Sequence, residues 1–295
     1  LKVRFIINPA AGSGAGAEVV ADSISEALGT ETGFFEVKAS RFRGDAHELA
    51  KEAVRNGYDT VFAMGGDGTI NEVASALVST NTALGIIPAG SGNGLARALK
   101  IPFNKINAVK VLKTGIVRSI DAGQMNDRYF FSTAGAGFDA VVSSKYAEWA
   151  KTYKKRGILP YVPITFAAYF GYKPGIVKIK HDGGVIECSP LMLTVANTRE
   201  FGGNAVIAPK AVPDDGLLDL CLVEGVGFFG TLFCGIKLLR GTIDSSKHYR
   251  AIKTSFVEVE REGASPAQID GEAFFAPAKL SFKVLPGALK VWTPA

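Results

Sequence analysis

Three times in the first hundred residues, an apolar run of strand length gives way to a glycine-rich turn and then to apolar positions at helical spacing. Val3–Ile7, Val61–Met64 and Ala83–Ile87 are the runs, and stretches so uniformly apolar suit strands buried on both faces of a parallel sheet. The turns are Asn8-Pro9-Ala10-Ala11-Gly12-Ser13-Gly14-Ala15-Gly16, Gly65-Gly66-Asp67-Gly68 and Pro88-Ala89-Gly90-Ser91-Gly92-Asn93-Gly94. Helices are predicted over about Ala17–Leu28, over Asn71–Val78 with Val73, Ala74, Leu77 and Val78 on one face, and up to Leu99. Phe34–Ala39 adds a strand, Ser40–Asp45 a loop and Ala46–Arg55 an amphipathic helix, with His47 expected on its solvated surface. Alternation of this kind builds a parallel sheet with helices on both faces, and ligands bind such sheets at the carboxyl ends of the strands.

From about Val117 the helical period fades. Short alternating strands are predicted at Ser119–Gln124, Tyr129–Ala134, Ile176–His181, Val185–Ala196, Leu217–Val223, Phe256–Arg261 and Leu280–Val284, a spacing that suggests an antiparallel sandwich. The expected architecture is an α/β N-terminal domain with a parallel sheet over residues 1–120 and a C-terminal antiparallel β-sandwich over 121–285. The last segment, Ala288–Thr293, is separated from the strands before it by Pro286-Gly287, and residues 286–295 are expected to return to the first domain.

Glycines let backbone N–H groups close in on an anion, and the helix after each turn adds its positive dipole end. One such turn alone is equally an ordinary strand-to-helix connection; three at neighbouring strand ends favour a nucleotide site. Asp67 stands inside the second turn, where a carboxylate meets phosphate through a cation. A magnesium-linked role and a plain turn aspartate bonding its own backbone are both open.

The net charge of +5 with a pI near 9.0 permits an anionic partner without requiring one. The basic residues are dispersed and no helix-turn-helix or RNP-like pattern occurs, so nucleic acid is not an expected partner. Cys188, Cys221 and Cys234 lie in apolar contexts without CxxC spacing and read as reduced core residues of a cytoplasmic protein. No leader is expected, since Leu1–Ile7 runs directly into a strand pattern, and the longest apolar stretch, Ile158–Tyr172, holds two prolines and is too short to span a bilayer. Two stretches depart from the sandwich pattern. Lys145–Tyr172 mixes Lys145, Lys151, Lys154, Lys155 and Arg156 with Tyr146, Trp149 and Tyr153 before Ile164, Phe166 and Phe170; Val226–Leu239 carries Phe228, Phe229, Leu232 and Phe233 ahead of Lys237 and Arg240. Each reads either as an interfacial segment for an anionic membrane or as a core helix with a basic edge.

The three loops, with Ile269-Asp270-Gly271-Glu272, resemble the diacylglycerol kinase catalytic domain family of soluble lipid kinases, over essentially the whole chain. The resemblance implies a fold of the NAD kinase/diacylglycerol kinase kind, ATP and Mg²⁺ as cofactors, and a lipid substrate. It places nucleotide contacts on Asn8, Pro9, Ala10, Ala11 and Gly12, on Ser40, on Gly66, Asp67, Gly68, Thr69, Ile70, Asn71 and Glu72, and on Ser91. It makes Asp67 and Asp270 catalytic alongside Glu272, the proton acceptor from the lipid hydroxyl; read from the residues alone, Asp270-Gly271 is equally a hairpin turn with Glu272 solvated. It assigns a structural magnesium to the Asp215 carboxylate and the carbonyls of Val212 and Leu217, and a headgroup contact to Asp139. The chain departs from bacterial diacylglycerol kinases at Gly94, where those carry an aspartate, and at Ser13, where some use a lysine.

The expected function is therefore transfer of the γ-phosphate of ATP to a hydroxyl of a diacylglycerol-like or sphingoid lipid, by a cytoplasmic protein peripheral at the inner membrane surface. Assembly as a homodimer is left open. An NAD kinase, which also uses a Gly-Gly-Asp-Gly turn, and a regulatory lipid- or nucleotide-binding protein without catalysis are the alternatives.

Overall fold

A computed structural model describes residues 1–11, 24–25, 34–153 and 160–295, without the side chains of Lys151 and Tyr161. Gly12, Ser13, Lys154, Lys155, Arg156 and most of the helix expected over 17–28 lie outside the described residues. The chain forms two compact units, residues 1–122 with 287–295, and residues 123–286.

In the first unit, β1 (Val3–Ile7), β2 (Phe35–Ala39), α1 (Asp45–Arg55), β3 (Thr60–Gly65), α2 (Asp67–Leu77), β4 (Ala83–Pro88), α3 (Gly94–Ala98) and α4 (Lys105–Thr114) follow in order. The strands lie parallel in the order β2-β1-β3-β4. β1, β3 and β4 are buried at every position, as their unbroken apolar runs require. Phe5 of β1 stacks on Phe62 of β3, ring centroids 4.8 Å apart. Because β2 and β3 flank β1, the strand order reverses at β1, and the loops after β1 and β3 open beside each other at the carboxyl edge. The helix α4 was not expected. Its start is marked in the sequence by Asn104, whose side chain accepts the Asn107 amide at 3.1 Å as an N-cap.

The edge strand β2 is fastened by charge. Arg4, 2% exposed on β1, pairs with Glu36 of β2 at 2.7 Å and with Glu52 of α1 at 3.1 Å, while Tyr58 donates its hydroxyl to Glu36 at 2.7 Å. Burial pushes the Glu36 carboxyl up, but the bonds from Lys38, Tyr58 and Arg4 outweigh it and bring it down to about 2. A carboxyl held below its ordinary value near 4.5 contributes stability above that pH and loses it as pH falls through about 2. Glu36→Gln is accordingly expected to lower the melting temperature at pH 7, with a gap to wild type that narrows as pH falls from about 4.5 towards 2; a gap that stays constant in thermal melts across this range would contradict the ion-pair account.

The second unit is a sandwich with helices added. Its elements are the end of β5 (Gly115–Met125), β6 (Arg128–Phe130), β7 (Thr133–Gly135), α5 (Phe138–Tyr153), α6 (Tyr161–Gly171), β8 (Val177–His181), β9 (Gly184–Cys188), β10 (Pro190–Ala196), β11 (Leu218–Glu224), α7 (Gly227–Arg240), β12 (Tyr249–Thr254), β13 (Phe256–Arg261), β14 (Ser265–Ile269), β15 (Glu272–Ala276) and the first part of β16 (Lys279–Pro294). One antiparallel sheet runs β12-β11-β10-β7-β14-β15. Facing it, β16, β13, β8 and β9 pair antiparallel in that order. Ile179, Val257, Val259 and Phe282 of one layer and Leu193, Val195, Leu220 and Ala267 of the other share one buried core. The alternation is plain in β8, where Val177, Ile179 and His181 are buried and Lys178 and Lys180 exposed.

Three strand expectations are corrected. Val185–Ala196 divides at Ser189, because Pro190 has no N–H to continue the β9 ladder, and β10 joins the other sheet. Tyr129–Ala134 likewise divides into β6 and β7, which pair with different neighbours. Leu280–Val284 and Ala288–Thr293 belong to one strand, β16; its end pairs in parallel with β4 through Val291 and Leu84, inside the first unit. There Gly287, at φ +60°, donates its amide to Asp121 at 2.7 Å.

Candidate active site

One cluster of expected site residues lies at the carboxyl edge of the parallel sheet. At the end of β1, the Asn8 amide donates to the Met64 carbonyl at 2.9 Å and its side chain donates to the Thr69 hydroxyl at 2.9 Å, which ties the first loop to the start of α2. The Asp67 carboxylate reaches across to the third loop and accepts the amides of Asn93 at 2.8 Å and Gly94 at 2.7 Å. Burial raises the Asp67 pKa, and those two amides oppose the rise. The loops touch backbone to backbone: a Cβ on Gly90 would stand 2.5 Å from the Gly66 Cα. Only glycine permits that approach.

Asn93 closes the third loop on itself. In left-handed conformation, φ 54° and ψ 50°, it accepts the Gly90 amide at 3.1 Å and donates to the Gly90 carbonyl at 2.7 Å. A fourth segment joins through Glu72, whose Oε1 accepts the Gly44 amide at 2.9 Å, and Ser40 donates its amide to the Ile7 carbonyl at 2.8 Å. The N-cap of α2 is Gly66, and among the described residues no side chain caps the helix. Its first turn, Asp67-Gly68-Thr69, thus presents amides and a positive dipole end among four cross-linked loops, an arrangement suited to a polyphosphate.

The geometry redistributes the expected contacts. Pro9, Ala10 and Ser91 are exposed on the loops and Gly66 and Gly68 partly so, while Ala11 is buried. Ile70 is 2% exposed and spends its amide on the Gly66 carbonyl, so it is a core residue rather than a nucleotide contact. Asn71 accepts the Ser75 hydroxyl within α2. Asp67 does not bond its own turn alone; its carboxylate ties the second loop to the third. His47 is half-buried, not a solvated surface residue: its Nδ1–H donates to the Glu72 carbonyl at 3.0 Å. Asn93, Gly90 and Gly44 were not singled out, although an asparagine between two glycines is the usual bearer of a left-handed turn.

A second cluster of expected site residues lies in the sandwich of the second unit. Asp270 and Gly271 have φ values of 46° and 82°, both positive, and connect β14 to β15 with Ile269 opposite Glu272. This is a two-residue hairpin of the primed kind. It sends the two acids to opposite fates. Asp270 is buried, and its carboxylate accepts the amides of Phe131 at 3.0 Å, Ser132 at 2.8 Å and Thr133 at 3.1 Å. Those three bonds fix the hairpin to the 131–133 segment, so the carboxylate holds backbone in place beside the residue expected to act as base. Glu272 is exposed at the first position of β15, where an incoming hydroxyl can reach it.

Gln268, 1% exposed, links this hairpin to Asp139. Its Oε1 accepts the Gly271 amide at 2.9 Å and its Nε2 donates to Asp139 at 3.2 Å. Asp139 also accepts the Gly137 amide at 3.2 Å and the Thr194 hydroxyl at 3.4 Å. Burial pushes its carboxyl up to about 6, against the Gln268 and Gly137 donors. Gln268 was invisible in the sequence, where a glutamine on an alternating strand carries no signal of its own.

The residues assigned to a structural magnesium do not fit one. Asp215 Oδ1 accepts the Leu217 amide at 3.1 Å, and its Oδ2 is in direct contact with the Lys253 ammonium, which also lies 3.5 Å from Asp219. Val212 is exposed beside them. An ammonium already neutralises the carboxylate an ion would need, and a divalent cation would be repelled from it. Wild-type melting is therefore expected to be insensitive to EDTA, whereas Lys253→Met, which strips the buried Asp219 of its cation, is expected to melt lower and to regain stability in millimolar Mg²⁺. A fall in the wild-type melting temperature on chelation would reverse this assignment.

Residues 2–125 match the model of the diacylglycerol kinase catalytic domain, and residues 132–293 match that of the YegS C-terminal NAD kinase beta sandwich-like domain. A diacylglycerol kinase of Bacillus subtilis (strain 168) is 31% identical over 92% of this chain and 89% of its own. The chain belongs to the diacylglycerol kinase family. Within that family it is also similar to the Pseudomonas aeruginosa PAO1 protein named "Probable lipid kinase YegS-like", 34% identical over 85% of this chain and 82% of that one. A crystal structure of a diacylglycerol kinase from Bacillus anthracis str. Sterne shares the fold, with a TM-score of 0.74 over 99% of this chain and 96% of that chain at 22% identity. The two family models cover the two residue clusters in turn: the loop cluster lies in the first match and the Asp270-Gly271 hairpin in the second.

Proposed function

We propose that the protein is an ATP-dependent lipid kinase that transfers the γ-phosphate to a hydroxyl of a diacylglycerol-like or sphingoid lipid. The observation that carries this reading is the Asp67 clamp on the Asn93 and Gly94 amides, which holds two glycine loops in contact beside the uncapped start of α2, in a chain whose relatives are named as kinases of lipids. Phosphoryl transfer to an alcohol asks little covalent chemistry of a protein; it asks for positioning, donors around the phosphates and a carboxylate on the attacking hydroxyl. Magnesium bound with the nucleotide supplies charge neutralisation at the β- and γ-phosphates. Loop amides around Gly66, Gly68 and Ser91 hold the phosphates, Glu272 accepts the hydroxyl proton as the lipid O–P bond forms and the bond from the γ-phosphorus to the β–γ bridging oxygen breaks to release ADP, and Asp139, fixed by Gln268 to the same hairpin, receives a polar group of the lipid head.

The test is labelled ATP with Mg²⁺ and mixed micelles of diacylglycerol, monoacylglycerol, sphingosine, ceramide or phosphatidylglycerol, and with NAD. A labelled lipid product establishes the class and names the acceptor. Label on NAD alone would overturn the lipid assignment, and ATP binding without any labelled product would mark a regulatory protein.

A further inference from the structure

The second unit holds a surface that its own fold leaves uncovered. α7, Gly227–Arg240, is almost wholly apolar, yet of its residues only Cys234 is buried. Phe229 is 80% exposed, Phe233 66%, Leu239 62% and Leu232 52%. A helix of a soluble domain turns such a face inward; here it points out. α6 does the same, with Val162 72% and Phe170 68% exposed.

The two faces form one patch. Phe228, half-buried, packs Phe166 edge-on at 5.5 Å and stacks on Phe170 at 5.6 Å, while Phe229 lies against it at 5.4 Å. Beside the patch, a cavity of about 330 Å³ opens at Phe229, Phe233, Lys237 and His248. An apolar patch of this extent, built from rings that pack one another rather than the core, marks a surface that meets another phase or another molecule.

We propose that this α6–α7 face is the membrane-docking surface of the protein and that its occupant is a bilayer rich in anionic lipid. Charge chooses the occupant. Neither helix carries an acidic residue, and α7 ends in Lys237 and Arg240, with Lys247 and Arg250 exposed shortly after. A second copy docking face to face would offer these cations no carboxylate from either helix, since a two-fold interface repeats one patch on both sides. Anionic headgroups satisfy the cations while the acyl boundary takes the rings, the division that interfacial helices use. At 11 and 14 residues α6 and α7 lie on a bilayer, being too short to cross one, and among the described residues no helix is long and apolar enough to do so.

The surface agrees with the lipid-kinase reading, but vesicle binding tests it without any turnover. The full chain is sedimented with vesicles of equimolar phosphatidylglycerol and phosphatidylcholine, and with phosphatidylcholine alone. Wild type is expected to bind the anionic vesicles, weakly the neutral ones, and to be released by high salt. Phe229→Glu with Phe233→Glu, two exposed positions whose replacement leaves the core intact, is expected to lower binding at least about tenfold while the thermal melt is unchanged. Lys237→Glu with Arg240→Glu is expected to remove the preference for anionic vesicles. Labelling of a short-chain acceptor free in solution is expected to be unaltered in the phenylalanine pair, so that a wild type inactive in this arm refutes the kinase reading and leaves the docking result standing. Equal vesicle binding by wild type and the phenylalanine pair would overturn the proposal, as would a wild-type dimer in sedimentation equilibrium that this pair abolishes.

Discussion

Glu272→Gln is expected to lower kcat for lipid phosphorylation by about 10²–10⁴-fold, the usual contribution of a general base, with ATP affinity and melting temperature unchanged. The change removes a proton acceptor and keeps the shape of the side chain. Glu272 is exposed and begins β15, so its replacement opens no cavity. The glycine loops of the first unit are held by Asn8, Asp67, Glu72 and Asn93 through bonds whose partners do not include Glu272. A carboxylate that merely decorated a hairpin would give wild-type turnover when neutralised. Wild-type kcat in Glu272→Gln would return the residue to the plain hairpin reading.

Much of the first unit was legible because its strands declare themselves. Val3–Ile7, Val61–Met64 and Ala83–Ile87 are apolar at every position, and a strand buried on both faces can be written in no other way. The second unit was harder to read, since its strands change sheets without changing pattern. Nothing in the alternation of Val185–Ala196 marks the switch except Pro190. The long strand β16 passes through Pro286-Gly287, a pair that ordinarily ends a strand, and the sequence alone suggests a break there.

The site followed the same division. Residue types around the loops pointed to phosphate, but which residue serves which purpose depends on partners far along the chain. Asp67 could be a turn aspartate or a cation ligand until the Asn93 and Gly94 amides are seen on its oxygens. Ile70 sits inside the glycine signature yet faces the core, because a helix beginning at Asp67 turns its fourth residue inward. Asp215 lies in a plausible metal-binding run, and Lys253, which neutralises it, comes from a strand 38 positions later. A local motif records the donors a segment offers. It does not record what the rest of the fold places against them.

Asp270→Ala is expected to cost far more stability than Glu272→Gln, although the two residues are two positions apart and the same motif carries both. The reason is what each carboxylate touches. Removing that of Asp270 leaves the amides of Phe131, Ser132 and Thr133 without their acceptor in a buried segment. Each unpaired buried donor costs about 1–3 kcal/mol, so the loss is at least about 3 kcal/mol. At roughly 2–4 °C per kcal/mol for a domain of this size, the melting temperature should fall by about 6 °C or more. Asp270→Asn keeps one acceptor oxygen and gives up the charge that strengthens the bonds, and should fall between wild type and alanine. Activity follows indirectly. The 131–133 segment and the Asp270-Gly271 turn set where Glu272 begins, so the asparagine variant should lose kcat together with stability, and less kcat than Glu272→Gln. A loss of kcat as large as that of Glu272→Gln with an unchanged melt would instead mean that Asp270 itself exchanges the proton, and the division of labour between the two carboxylates would have to be reversed.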